Sequence, residues 1–277
     1  MIRYAEELEV ARQAARVAAD IILRHYAAGG IAVDTKDDQS PVTQADRDAS
    51  TAIVDLLRAA FPDDGVLSEE LPDDLIRLTK KRVWIVDPLD GTRDFVARTG
   101  DFCVHVGLAE GGEAVLGVVA QPVTGALYFA TAGSGAFVED EIGRRRLSVS
   151  TVQDLADVRM GVSRLNASNR LGQCLRAANL EARAAVMGAS VKHMALARGV
   201  LDGVINLSPG EQEWDTCAPE VIVREAGGAF TDGSGRPFRY NQNDLIHDGG
   251  SIASNGACHD ALVALIAPAL APIRSGG

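Results

Sequence analysis

The chain has 277 residues, 47% apolar and 23% charged, so it can bury a large core without disulfides or a structural metal. Its 27 basic and 38 acidic residues give a formal charge of -11. That argues against a protein that coats nucleic acid, because a phosphate backbone requires a basic face, and 7 Phe, 2 Trp and 4 Tyr are too few for a base-stacking platform. Residues 5–27 read as an amphipathic helix with Leu8, Ala11, Ala15, Ala18, Ile22 and Tyr26 on one face. Residues 29–41 read as a loop, and a second helix is expected from near Thr43 to Phe61, where Thr43 and Asp46 have the spacing of a capping box. The period then changes. Val66–Ser68 and Val83–Val86 read as buried strands, and Val104–Leu108 and Val115–Ala120 as a hairpin around Glu110-Gly111-Gly112-Glu113. Leu127–Thr131 and Ala136–Glu139 extend that sheet, and Arg144–Arg146 read as a solvated segment near a boundary, with an anionic substrate as the other reading.

The second half alternates. Val158–Val162 and Val204–Leu207 read as strands, 168–178, 190–200 and 215–226 as helices, Gly227-Gly228 as a stop, 251–254 as a strand and 257–267 as a helix. The pattern implies an α+β half over residues 1–145 and an α/β half over 146–277. Apolar stretches are too short to span a bilayer, and Glu6, Glu7 and Glu9 stand where a signal peptide is basic. The expectation is a cytoplasmic chain with no membrane insertion. Four cysteines without a CxxC pair read as small buried residues in a reducing compartment.

Three segments carry chemistry. Asp87-Pro88-Leu89-Asp90-Gly91-Thr92 follows the Val83–Val86 run, and Pro88 and Gly91 predict a tight turn that gathers both carboxylates and the Leu89 carbonyl. Oxygen-only donors of this kind suit magnesium rather than zinc. Gly91 lets a phosphate approach the backbone, and a helix start at Thr92 offers N–H groups. Ser68-Glu69-Glu70 ends another apolar run and adds a carboxylate if the two strands are neighbours. Trp214-Asp215-Thr216-Cys217-Ala218-Pro219-Glu220 places Asp215 at a helix N-terminus. Each segment alone also fits a plain structural role, as a surface turn, a solvated acid pair or a helix cap. Together Glu69, Asp87, Asp90 and Asp215 can hold two magnesium ions about 3.5–4 Å apart, a spacing suited to cutting a phosphate ester.

These motifs, with Glu225-Ala226-Gly227-Gly228 and Ser40-Pro41-Val42-Thr43-Gln44-Ala45-Asp46, resemble those of the inositol monophosphatase superfamily over nearly the whole chain. Within it, Ser208-Pro209-Gly210 and the Gly188–Lys192 segment most resemble the 3′(2′),5′-bisphosphate nucleotidase branch. The resemblance implies an αβαβα five-layer sandwich and a magnesium-dependent, lithium-sensitive phosphatase of sulfur assimilation, with two or three Mg2+ per site. It implies a small phosphorylated substrate, a monomer or homodimer, and no nucleic-acid polymer as partner. It implies Glu69, Asp87, the Leu89 carbonyl, Asp90 and Asp215 as metal ligands. Asp46 and Thr92 would activate the water, Gly91 and Thr92 hold the phosphate, and Ser163, Arg164, Ser190 and Lys192 bind substrate. The branch often shows Ser-Arg-Ser-His where this chain has Ser163-Arg164-Leu165-Asn166. The reaction implied is removal of the 3′-phosphate from adenosine 3′,5′-bisphosphate. Inositol, sugar or histidinol phosphates are the alternative substrates, with Glu211 or Glu213 reaching a hydroxyl, and a non-catalytic metal-dependent scaffold is the third reading. Lys36, in loop 34–41, reads equally as solvated and as closing over the phosphate. The five histidines read as surface or core residues, His193 beside Lys192 being the one nearest the chemistry.

Overall fold

The computed structural model describes residues 3–30, 32–35, 41–73, 75–163, 169–208 and 210–270. Helix α1 (Ala5–Ala28) buries a narrow stripe, Ala11, Ala14, Ala15, Ala18 and Ile22, whose small side chains let α2 lie close. The segment read as a loop instead holds a ribbon, β1 (Val33–Thr35) antiparallel to β2 (Pro41–Thr43). Periodicity cannot reveal three-residue strands, and β1 is exposed throughout. Helix α2 (Gln44–Ala60) opens on the expected capping box, with Thr43 as the N-cap.

A seven-stranded sheet follows in strict sequence order: β3 (Gly65–Ser68), β4 (Arg82–Asp90), β5 (Cys103–Glu110), β6 (Glu113–Gln121), β7 (Ala126–Thr131), β8 (Ala136–Asp140) and β9 (Gly143–Arg146). β3 runs parallel to β4 and the remaining pairs are antiparallel. Asp87–Asp90 is not a tight turn that ends the strand. It belongs to β4 as a bulge, where the register with β5 shifts between Asp87 and Asp90, and a short helix, α3 (Thr92–Val96), begins directly after Gly91. The arginine run, read as a solvated segment, is a strand at the sheet edge: Arg144 and Arg146 are exposed, Arg145 is bonded to Asp140 and Arg144 stacks on Phe129 and Phe137.

The second sheet has order β11-β10-β12-β14-β13, built from β10 (Met160–Ser163), β11 (Ala184–Met187), β12 (Gly203–Asn206), β13 (Ala229–Asp232) and β14 (Ser251–Ser254). Helices α4 (Asn169–Ala177), α5 (Val191–Ala197), α6 (Glu213–Glu225) and α7 (His259–Leu270) complete the chain. Strand alternation explains the layers. Trp84, Val86, Val104, Val106 and Leu116 face α1 and α2 in one buried cluster. Val83, Ile85, Val119 and Tyr128 face the other way, into a cluster with Met194 of α5 and Cys217, Ala218 and Ile222 of α6. A third cluster joins Met160, Ile205 and Ile252 to Leu171, Leu262 and Ile266 of the outer helices. The order is α1/α2, sheet, α5/α6, sheet, α4/α7, the expected five-layer sandwich.

The middle layer depends on two glycines. Gly107 of β5 and Gly117 of β6 are cross-strand partners. A Cβ on Gly107 would meet Cys217 Sγ at 2.7 Å, and one on Gly117 would meet the Ala218 carbonyl oxygen at 2.2 Å. The pair forms a groove that seats the backbone of α6. Gly117→Ala must lift α6, and overpacking of this kind costs about 1–3 kcal/mol. We expect a melting temperature several degrees lower. A melting curve that matches the parent would show that the groove does not seat the helix.

Candidate active site

β3 and β4 run the same way, so both deliver acids at the same end of the sheet: Ser68 pairs with Val86, which leaves Glu69 beside Asp87. The Glu69 amide donates to the Val86 carbonyl at 3.1 Å, and the Glu69 side chain hydrogen-bonds Asp87. The bulge after Asp87 brings Asp90 to the same place, and Asp87 Oδ1 accepts the Leu89 N–H at 3.0 Å across it. From the other half, α6 contributes Asp215 at its third position, where the carboxylate accepts the Gln212 N–H at 2.6 Å. Carboxylate oxygens of Asp87, Asp90 and Asp215 all lie within 4.8 Å of one another. Acids 125 or more positions apart in sequence thus converge.

The electrostatics of this cluster call for a cation. Burial, then the neighbouring charges of Glu69, Asp90 and Asp215, pushes the Asp87 carboxyl well above the usual carboxylate range. Burial and the charge of Asp90 do the same to Asp215. Burial opposes ionisation of Asp90 too, but His105, Lys192 and the Ser190 N–H at 2.6 Å outweigh it, and its carboxyl lies below the ordinary range. Among the described residues no basic side chain forms an ion pair with Asp87 or Asp215. Buried carboxylates at this spacing, with oxygen donors throughout, fit a hard divalent ion.

Thr92 lies beside the cluster. Its hydroxyl donates to Asp46 Oδ1 at 2.9 Å and lies 3.3 Å from the Leu89 carbonyl oxygen. Asp46 is 1% exposed, and its Oδ2 accepts both the Thr43 N–H at 2.8 Å and the Thr43 hydroxyl at 2.6 Å. The capping box therefore fixes the carboxylate that fixes Thr92. Gly91, at φ 93°, sits where a Cβ would lie 2.9 Å from Ala189 and 3.0 Å from the Asp101 carbonyl. A cleft of about 270 Å³ opens on this corner, lined by Glu69, Asp90, Gly91, Thr92 and Asp215 together with Ser163, Ser190 and Lys192. Every sequence-expected site residue within the described range thus comes to one corner, with Asp87 and Leu89 just beneath it. Arg164, Asn166, Ser40 and Lys36 lie outside the described residues.

The cleft also contains groups that the sequence reading left aside or left ambiguous. Arg93 and His193 line it, as does Glu211. Glu211 is 5% exposed, and burial raises its carboxyl to about 6 even though Asn206 and Ser251 donate to Oε1 at 2.7 and 2.8 Å. Its Oε2 has no hydrogen-bond partner among the described residues. Glu213 has a different role: its two oxygens hold the Asn241 and Gln242 N–H groups, both at 2.7 Å, so it ties the start of α6 to a loop and does not serve substrate. His105 is fully buried with Nε2 3.1 Å from Asp90 Oδ2, although the sequence offered no sign of that contact beyond its place on the neighbouring strand. The arginine run does not line the cleft.

Comparison with known proteins agrees with this architecture. The inositol monophosphatase family model matches residues 3–271, and the chain belongs to that family. It is 36% identical over 234 residues to the 3′(2′),5′-bisphosphate nucleotidase CysQ of Shigella flexneri, covering 84% of this chain and 93% of that one. It is 33% identical over 264 residues to the histidinol-phosphatase of Mycobacterium tuberculosis, covering 93% and 96%. The solved IMPase of Thermotoga maritima superposes with a TM-score of 0.80 at 28% identity, covering 94% of this chain and 96% of that one. The protein is a phosphomonoesterase of a metal-dependent family.

The acids that bind protons in the fold must release them to take up a cation, so magnesium should raise the melting temperature far more at pH 8 than at pH 5. Glu211 at about 6 and Glu213 at about 7, against 4.5 unfolded, lower metal-free stability as pH rises across that window. Buried His193 and His247 run the opposite way, so the difference between metal-loaded and metal-free protein is the quantity to measure by scanning calorimetry. A magnesium shift of equal size at both pH values would contradict a cation site among these carboxylates.

Proposed function

We propose that this chain is a magnesium-dependent nucleotidase that hydrolyses the 3′-phosphate of adenosine 3′,5′-bisphosphate to AMP and phosphate. The observation that carries the reading is the Asp46–Thr92 hydrogen bond held at the edge of the Asp87, Asp90 and Asp215 cluster. Glu69, Asp87, the Leu89 carbonyl, Asp90 and Asp215 would hold the magnesium, which supplies Lewis-acid activation of water and neutralises charge on the phosphoryl oxygens.

The side chains account for the rest. Thr92 gives its hydroxyl hydrogen to Asp46, so the lone pairs on Oγ1 are free to accept a hydrogen from the attacking water. As that water's oxygen bonds to phosphorus, its proton passes to Thr92 and the Thr92 hydrogen to Asp46. Asp46 is already aimed by Thr43, so little reorganisation accompanies the transfer. Gly91, whose missing side chain lets Ala189 and the Asp101 carbonyl pack close, lines the cleft and would present its backbone to the phosphate. The bond from phosphorus to the 3′-oxygen breaks as the new one forms, and the leaving 3′-oxygen takes a proton from solvent in the cleft, where Lys192 and Arg93 place positive charge suited to a substrate with a second phosphate, and Ser163 and Ser190 add hydrogen-bonding groups. Similarity to the nucleotidase relatives supports the same substrate.

Glu211 favours a second reading. Its unpartnered Oε2 in the cleft would accept from a hydroxyl or ammonium of the leaving group, which is the chemistry of inositol 1-phosphate or histidinol phosphate. Phosphate release from these two compounds, adenosine 3′,5′-bisphosphate and fructose 1,6-bisphosphate separates the readings. The bisphosphate nucleotide should give the highest kcat/KM. If histidinol phosphate or inositol 1-phosphate leads, and Glu211→Gln raises KM for it alone, the second reading replaces the first. Asp90→Asn should lower turnover on the order of 100-fold or more with the circular dichroism spectrum unchanged. Near-parent turnover in that variant, or full activity in excess chelator, would remove the metal-assisted scheme.

A further inference from the structure

Directly beneath Asp90 the protein carries a second set of donors of a different chemical kind. Cys103 and His105 are two apart on β5, so their side chains leave the strand on one face. The antiparallel register pairs Asp90 with Cys103 and Asp87 with His105. Both residues are fully buried, and donor atoms of Asp90, Cys103 and His105 lie within 4.8 Å of one another.

The orientation of His105 adds an independent observation. Its Nδ1 lies 3.2 Å from the Trp214 carbonyl oxygen. A carbonyl can only accept, so Nδ1 carries a hydrogen and Nε2 is the atom turned toward Asp90 and Cys103. Nε2 stands 3.1 Å from Asp90 Oδ2, an ion pair when His105 is protonated, and makes no hydrogen bond of good geometry among the described residues. An imidazole anchored through one nitrogen to a backbone carbonyl, with the other nitrogen aimed at a thiol and a carboxylate, is arranged as metal-binding histidines are.

We propose that Asp90, Cys103 and His105 form a binding site for a thiophilic divalent cation, Zn2+ above all, distinct from the all-oxygen magnesium site and sharing Asp90 with it. One sulfur, one imidazole nitrogen and one carboxylate oxygen make a three-ligand zinc set with a fourth position open. Magnesium does not compete for such donors. Zn2+ stabilises the thiolate and releases the thiol proton to solvent. Because Asp90 is common to both sets, zinc in this site draws it away from the magnesium cluster and inhibits the enzyme. That consequence rests on the proposed magnesium role of Asp90, whereas the site itself does not.

The test uses the full chain titrated with Co2+, which reports a thiolate ligand by a near-ultraviolet charge-transfer band. The parent protein should show the band at one equivalent, lose it to Zn2+ and keep it in excess Mg2+. Cys103→Ser should abolish the band, leave magnesium-supported phosphatase activity near the parent value and raise the zinc concentration for half-inhibition by at least about 10-fold. Cys174→Ser should retain the band. His105→Asn gives a second reading of the band should Cys103→Ser fail to fold. A band that survives both Cys103→Ser and His105→Asn, or is absent from the parent, overturns the site. A band lost as expected together with zinc inhibition unchanged by Cys103→Ser keeps the site and instead removes the assigned role of Asp90.

Discussion

The close seating of α6 on the seven-stranded sheet is the constraint on which the rest depends. Gly107 and Gly117 face one another across β5 and β6, and their missing side chains let the Ala218 carbonyl press against the strand. That approach carries Asp215 toward a corner already occupied by Asp87 and Asp90. The acids do not draw the helix in, because their charged forms repel and burial penalises them. Packing of the middle layer overcomes that repulsion: Cys217, Ala218, Val221 and Ile222 are buried against the sheet, and apolar burial at about 25 cal/mol per Å² is the term large enough to do so.

The cleft therefore stores electrostatic strain in the metal-free protein. Carboxyls of Asp87 and Asp215 sit above their usual range because burial favours the neutral acid. A cation removes the penalty and restores the charges, so affinity for the ion and instability without it have one origin. Around this core the orienting groups are fixed by ordinary folding devices. A capping box aims Asp46, a strand bulge aims Asp90, and the first turn of α6 aims Asp215. The geometry of this corner is set by rigid backbone features rather than by mobile side chains, as tight positioning requires.

Much of this was legible in the sequence, and what was not has physical reasons. Long periodic segments such as α1, and the glycine hairpin between β5 and β6, fall where their patterns put them. The Asp87–Thr92 motif was read as a turn and is a strand bulge instead, because a bulge and a turn use the same Pro and Gly. β1, β9, β11 and β13 escaped because they are short or exposed and carry no clean alternation. The roles of Glu211 and Glu213, two residues apart, could not be separated without knowing which faces the cleft and which captures the Asn241 and Gln242 amides. His105 was invisible as a partner of Asp90 because cross-strand register is not written in spacing along one strand.

The middle layer has a consequence for biosynthesis. The first sheet is complete at Arg146, but one of its faces is covered by α5 and α6, the last residue of which is Glu225. At about 5–20 residues per second, a ribosome needs several seconds to make the intervening chain. Through that interval Val83, Ile85, Val119 and Tyr128 present an uncovered apolar surface on the nascent polypeptide. Holding chaperones have their natural target there, and a truncated product ending near the first sheet would expose the same surface permanently and precipitate.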